Sequence, residues 1–405
     1  MHSENNRPAL QTRAARFFGL GIELISLMFI SRLLVDTSNR IFFPFIPQFS
    51  AGLGLTITAF SWVLSIRALA GIASPLIGML ADRHGRRLVM SVMLVVRGLT
   101  LISLPMFHGW WCIFPMVLLS LTTAGYIPVL RAYLSDMVSS NRRGRALAAV
   151  DASFSTAGIV GLPVVGWLIE TWNWQVPLIV IGILHLAAVL VVSLRLPKTT
   201  QRTQDQTMFA QMKELVRQPG VLASMGVSSL LLLIFFLFMM FWAFLLTDRF
   251  NFSPIQVGLM GTWIGIAEFS GLLLAGIFID RIGKRRGSMI GMGLSAILFL
   301  IFPLFEYSLP AVRILLVLLA AAIEFTITSV IPLYAEQNTE LRATVFCLIM
   351  FGDTIGSGVT PTLTTYLWTH FGLTAVVLVG FVTSMLALLL VWRYLYDQRA
   401  GGGAR

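Results

Sequence analysis

The sequence places ionisable side chains where they are costly. Arg32, Asp36 and Arg40 stand in one apolar run and recur every fourth residue, so a helix puts all three on one face with Asp36 within reach of either arginine. Arg67 and Arg97 add positive charge to the next two apolar runs. Glu268, Glu324 and Asp353 stand in apolar runs of the C-terminal part, where no basic residue lies well inside a run. Ionisable groups in such surroundings are functional candidates by default. Two kinds of chemistry suit them. A guanidinium away from water binds a carboxylate or phosphate, and a carboxylate takes up and releases a proton. Asp36, the acid near the middle of its run, is the first candidate for a proton site, with Glu268, Glu324 and Asp353 beside it. The alternative is that the basic and acidic sets pair with each other and hold one arrangement of the chain. Trp62, Trp263, Phe42 and Tyr126 could wall a cavity between them, although aromatic residues in apolar helices more often serve packing or an interfacial belt.

The elements that position these residues are membrane helices. The chain has 405 residues, of which 57% are hydrophobic and only 12% charged, with a mean hydropathy of +0.84; soluble domains carry roughly 25% charge. A hydrocarbon core of ~30 Å needs ~20 apolar residues per helix. Twelve such runs occur, near 22–46, 57–80, 88–107, 112–135, 146–168, 175–194, 222–246, 256–279, 288–306, 311–334, 344–367 and 373–396. A β-barrel would require alternation of apolar and polar residues, which the run from Leu230 to Leu246 lacks. The first 16 residues are polar, with Arg7, Arg13 and Arg16, and no small-residue cleavage site follows, so the first run reads as a helix and not as a removed signal peptide.

The formal charge of +11 is explained by position. Of the 29 Lys and Arg, 22 lie at the N-terminus, after even-numbered runs or in the C-terminal tail, and only Arg249 and Arg313 follow odd-numbered runs. Positive residues collect on the cytoplasmic side, which predicts that both termini are cytoplasmic and leaves nucleic-acid binding without a case. The longest polar interval, 195–221, divides the chain into 1–194 and 222–405. Within it Met208, Met212, Leu215 and Val216 recur at helical spacing before Pro219 and Gly220, which predicts a short amphipathic helix on the membrane surface.

The two parts repeat. Gly78, Asp82, Arg83, Gly85, Arg86 and Arg87 after the second run recur, displaced by 198 residues, as Gly276, Asp280, Arg281, Gly283, Lys284 and Arg285 after the eighth. The same displacement carries Gly158 and Pro163 onto Gly356 and Pro361, where small residues and a proline suit close helix packing. In the loops, glycine permits a tight turn, Asp82 can face the positive end of a neighbouring helix, and Arg86 can reach Asp136 at the end of the fourth run.

These loop residues resemble the signature between helices 2 and 3 of the major facilitator superfamily, and the second copy strengthens the likeness, which covers the whole chain. The first run, with Asp36 at mid-depth and Pro44 and Pro47 beyond it, is similar to that of the drug:proton antiporter branches. The fifth, with Gly158, Gly161, Pro163 and Gly166, resembles their antiporter signature, except that Leu162 stands where the pattern has a glycine before the proline. A second departure lies in the fourth run, where the branch places an arginine four residues before a glycine; Leu121 precedes Gly125 here, and Arg131 comes later.

The resemblance implies an all-α integral membrane protein with twelve transmembrane helices in two pseudo-symmetric six-helix bundles. It implies a monomeric secondary active transporter of a bacterial inner membrane, without cofactor, that exports a small organic solute in exchange for protons by alternating access. It also implies that Asp82, Arg86 and Asp136 latch the two halves in the outward-facing state; residue chemistry alone equally allows an anchor that keeps the loop on its side. Uptake or export of an anionic or zwitterionic metabolite is the alternative substrate reading. A receptor or scaffold that transports nothing would leave the repeated loop and the intramembrane charges without use.

Enzyme classes find little support. No Gly-x-x-x-x-Gly-Lys-Ser/Thr loop is present to hold ATP. Gly352-Asp353 is similar to an intramembrane aspartyl protease motif, but Met350 replaces its first glycine. His2, His84, His108, His185, His370, Cys112 and Cys347 show no metal-ligand spacing, and the two cysteines lie in apolar runs unsuited to a disulfide framework. The charge pattern makes a direct prediction. In whole cells, cysteines placed near Gly52 and near Gly109 should react with an impermeant thiol reagent and one near His84 should not; the reverse pattern would overturn the orientation.

Overall fold

The computed structural model describes residues 20–197, 215–338 and 341–397, and every regular element among them is helical. In chain order these are α1 (Ile22–Arg40), α2 (Ile46–Gly52), α3 (Ile57–Leu69), α4 (Ser74–His84), α5 (Arg86–Ser103), α6 (Ile113–Met137), α7 (Ser140–Asp151), α8 (Leu162–Thr171), α9 (Gln175–Arg195), α10 (Pro219–Phe250), α11 (Pro254–Ile282), α12 (Lys284–Ile301), α13 (Leu309–Tyr334) and α14 (Arg342–Tyr394). Nine helical stretches of the described residues are long and apolar enough to cross a membrane, and α2 with the Ile57–Ala73 stretch forms a tenth candidate bent by 101°. α1 has the length but carries Glu23, Arg32, Asp36 and Arg40. The last stretch, Val345–Tyr394, has 50 residues, which as one straight helix would be ~75 Å long, more than twice a bilayer core. It breaks at Gly372, whose φ of 72° is open to glycine. Most of the interval expected to carry a surface helix, including Met208 and Met212, lies outside the described residues.

The breaks have local causes. The first run was expected to continue to residue 46, but the helix stops at Arg40 and resumes as α2. Pro44 lacks the N–H that would bond the Arg40 carbonyl and so stops the helix, and Pro47, which also lacks a donor, stands in the first turn of α2. Two further prolines free carbonyls that neighbouring helices then use. Pro128 in α6 leaves the Ala124 carbonyl to accept from Ser74 Oγ at 2.6 Å. Pro163 leaves the Ile159 carbonyl to accept from Thr262 Oγ1 of α11 at 3.0 Å, and the turns just before it, Ala157–Gly161, open into a π-helix.

At one end lie the repeated loops. Gly85 and Gly283 adopt nearly the same left-handed backbone, φ 92° and 93°. Arg86 pairs with Asp136 and Lys284 with Glu336, while Arg87 donates to the Ser193 carbonyl and Arg285 to the Trp392 carbonyl. At the opposite end the helices close on one another through small residues. A Cβ on Gly166 would stand 2.3 Å from the Pro254 carbonyl oxygen, one on Gly258 would stand 2.7 Å from the Leu162 oxygen, and one on Gly52 would run into the Trp174 ring at 2.2 Å. The contact of the fifth run with α11 continues to Gly265, where a Cβ would meet the Ser155 oxygen at 2.8 Å, and ends there: Cβ atoms on Gly144 and Gly276, nearer the loops, would meet nothing within 4 Å. The fifth run and α11 are therefore apposed at one end and diverge toward the other. Gly258→Val should lower the apparent melting temperature in detergent, whereas Gly276→Val should leave it nearly unchanged; equal effects of the two would contradict this packing.

Candidate functional site

α1 distributes the buried charges. Arg40, at its last turn, reaches α11 and binds Glu268 with both terminal nitrogens, at 2.8 and 2.6 Å. Arg40 and Glu268 are 3% and 2% exposed, so the pair is bidentate and fully desolvated, and removing either partner would strand a buried charge at a cost of ~3–5 kcal/mol. The guanidinium fits because Gly158 and Gly265 leave room: a Cβ on Gly158 would lie 3.3 Å from Arg40 Cζ and 3.1 Å from Gly265 Cα. Phe154 covers it, with its ring centroid 4.9 Å from Cζ. Glu324 of α13 lies near enough to both Glu268 and Arg40 to interact electrostatically with them.

Asp36 belongs to a different group. It accepts from Ser153 Oγ at 2.6 Å and from Arg32 Nε at 3.4 Å. Arg32 also pairs with Asp151, which in turn holds Arg131 at 2.9 Å. All of these residues precede the polar interval, so this network ties α1 to the fourth and fifth runs and leaves Arg40 to Glu268. Arg97 is satisfied locally. It donates to Ser38 Oγ at 2.8 Å, the Leu119 carbonyl at 2.8 Å, Thr122 Oγ1 at 3.0 Å, Thr123 Oγ1 at 2.6 Å and the Val35 carbonyl at 3.3 Å. It thereby brings a guanidinium from α5 to the turn of α6 where the antiporter pattern has its own arginine and this chain has Leu121.

A cavity of about 200 Å³ opens beside these clusters, between α1, α3, α6, α10 and α14. Its walls include Asn39, Phe43, Arg67, Thr123, Phe236 and Asp353. Arg67 donates to the Asn39 side-chain oxygen and lies over the Phe42 ring at 4.8 Å. Asp353, also in the wall, accepts from Ser228 Oγ. Of the seven charged candidates, Arg67 and Asp353 line the cavity, Arg40, Glu268 and Glu324 form the junction beside it, and Asp36 and Arg97 sit in separate networks. Phe42 and Tyr126 are buried, the latter donating to Ser31 Oγ at 2.7 Å, while Trp62 and Trp263 face outward at 51% and 60% exposure.

In the loop cluster Arg86 reaches Asp136, but both belong to the N-terminal part, so this contact alone does not join the two parts. Arg83, Asp280 and Arg281 are exposed. The side chains of Gly78 and Asp82 lie outside the described residues. The packing positions make close approaches: a Cβ on Gly161 would meet Thr37 Oγ1 at 2.6 Å, and one on Gly356 would meet the Ser229 oxygen at 2.0 Å. Pro163 and Pro361 stand inside the corresponding helical runs. Sequence reasoning passed over Asn39, Asp151, Ser153 and Ser228. Asp151 was detectable, since it falls within the expected fifth run and the rule that singles out Asp36 applies to it equally. The three neutral residues carry no comparable signal.

The sequence profile of the Major Facilitator Superfamily matches residues 28–248 and 227–404. A multi-drug resistance efflux pump PmrA homolog of Lactococcus lactis subsp. lactis (strain IL1403) is 24% identical over 282 residues, covering 66% of this chain and 68% of that protein. Macrolide efflux protein A of Streptococcus pyogenes is 26% identical over 246 residues, covering 56% of this chain and 60% of its own length. Among solved structures, a bacterial homolog of the human lysosomal transporter Spinster, in an inward-facing and unoccupied conformation, superposes with a TM-score of 0.77 at 14% identity, covering 92% of this chain and 97% of that one. A D-xylose-proton symporter gives 0.75 at 14% identity, with 93% and 98% covered. At such identities the structures speak for the fold, and the profile, which spans nearly the whole sequence, speaks for the family: the chain belongs to the Major Facilitator Superfamily, whose members are transporters and not enzymes.

Proposed function

We propose that this protein exports a small organic solute in exchange for protons, as a monomer of twelve helices in a bacterial inner membrane with both termini cytoplasmic. The drug and macrolide efflux relatives support the direction. The observation that carries the reading is the Arg40–Glu268 pair, a desolvated bond between a helix of residues 1–194 and one of residues 222–405. In this reading those two segments are the halves that rock, and 195–221 is their linker.

The helices meet at the end carrying Trp174 and Pro254 and spread toward the arginine-rich loops. By the positive-inside rule that arrangement opens the cavity to the cytoplasm. The junction then couples proton to solute through α1, because adjacent residues of that helix serve the two sites: Asn39 holds Arg67 at the cavity and Arg40 holds Glu268 at the junction. A proton on Glu268 removes the charge that fixes Arg40 and leaves the guanidinium to Glu324. The bond that keeps the outer end shut weakens, and α1 is free to move. Deprotonation toward the cytoplasm restores it. Asp36, bound to Ser153 and Arg32, keeps the face of α1 oriented against the fifth run. The loop pair Arg86–Asp136 shapes the cytoplasmic rim.

The reading predicts a separation of activities. In proteoliposomes tested against a panel of labelled drugs, organic anions and sugars, Glu268→Gln should retain solute exchange with no gradient but lose accumulation driven by a pH gradient. A variant that concentrates solute as well as the parent would remove Glu268 from the coupling path.

A further inference from the structure

Arg67 is the one basic residue on the cavity wall, and its charge is unmatched. It is 4% exposed, and among the described residues no carboxylate pairs with it. Nη2 is held by the Asn39 side chain and, at 3.5 Å, by the Asn39 carbonyl, while Nη1 is buried without any hydrogen-bond partner. The contrast with the other intramembrane arginines is sharp. Arg40 has a carboxylate on both terminal nitrogens, Arg32 has two carboxylates, and Arg97 is filled by hydroxyls and carbonyls. A buried guanidinium with a spare nitrogen in a cavity wall is a preorganised receptor for an anionic group.

The same cavity also carries a negative charge. Asp353, from α14, lines it and is bound by the Ser228 hydroxyl, with no cation beside it among the described residues. Phe43 and Phe236 pack with ring centroids 5.0 Å apart at a tilt of 49° and offer apolar surface to the same space. The volume, about 200 Å³, lies below the ~300–1,000 Å³ usual for drug-sized ligands. We propose that the cavity takes a small zwitterionic solute with an apolar side group, its carboxylate against Arg67 and Asn39, its ammonium against Asp353 and its apolar part against Phe43 and Phe236. The proposal names the substrate class of the transport site and rests on the reading of this cavity as that site.

Three probes of one skeleton test it: phenylalanine, which has both charges, phenylpropionate, which has only the carboxylate, and phenethylamine, which has only the ammonium. Equilibrium binding is measured as the rise in thermal unfolding temperature of the purified full-length protein at millimolar probe and fixed pH. Phenylalanine should bind most tightly, phenylpropionate more weakly, and phenethylamine not at all. Arg67→Met should weaken both carboxylate probes about tenfold or more, Arg67→Lys should keep part of that affinity, and Asp353→Asn should bring phenylalanine down to the level of phenylpropionate. Failure of both carboxylate probes to bind the parent, or equal binding of phenethylamine, overturns the proposal. So does parent-like phenylalanine binding by folded Arg67→Met; where that variant does not fold, an Asp353→Asn protein with unchanged preference among the probes overturns it instead. No gradient is applied, so such a failure leaves proton coupling through Glu268 standing, whereas a Glu268→Gln protein that binds phenylalanine but still accumulates solute marks the opposite failure.

Discussion

A charge inside a low-dielectric interior is costly unless another charge or polar groups compensate it, and the Arg40–Glu268 pair is where this constraint joins the N-terminal helices to the C-terminal ones. Its partners lie 228 residues apart, and both are almost fully buried. Neighbouring features make room for it or surround it. Gly158 and Gly265 omit the side chains that would occupy its space, and Phe154 covers its face. The small-residue contact between the fifth run and α11 ends within one turn of Glu268. In the transport cycle proposed above, a proton on that carboxylate is what releases the pair.

The remaining buried charges divide into those that fix structure and those left available. Arg97 ties α5 to α1 and α6 through five hydrogen bonds to neutral acceptors. Asp36, Ser153, Arg32 and Asp151 tie α1 to the fifth run. Prolines contribute in a related way, since the carbonyls of Ala124 and Ile159 that Pro128 and Pro163 release are taken up by hydroxyls from α4 and α11. In the proposed cycle these ties are what carries Asn39 and the cavity wall along with α1 when the Glu268 bond is released.

Much of the architecture was legible in the residues because it rests on one-dimensional rules. Apolar runs gave the helices, and the displacement of 198 gave the paired loops, whose glycines share one left-handed backbone. The break after Arg40 was missed although Pro44 and Pro47 announced it, since a long apolar run outweighs a local backbone restriction when only hydropathy is followed. The choice of partner was not legible. Helical spacing offers Asp36 to both Arg32 and Arg40, and only the approach of α11 shows that Arg40 takes Glu268 instead. Nor does spacing show that Arg97 is consumed by hydroxyls and carbonyls while Arg67 keeps a free nitrogen. Long-range packing decides these, and a single sequence does not encode it in any short pattern.

In the proposed cycle, protonation of Glu268 releases the closed end. This step is tested most directly by the distance between nitroxide labels at Trp167 and Leu259, two outward-facing positions on α8 and α11 at that end, measured by pulsed electron paramagnetic resonance across a pH series. In the parent protein, acidification should shift population from the short to the longer distance, and in Glu268→Gln the longer population should be present at every pH. A distance distribution in the parent that does not respond to pH, or a Glu268→Gln protein that follows the parent's pH response, would contradict the account.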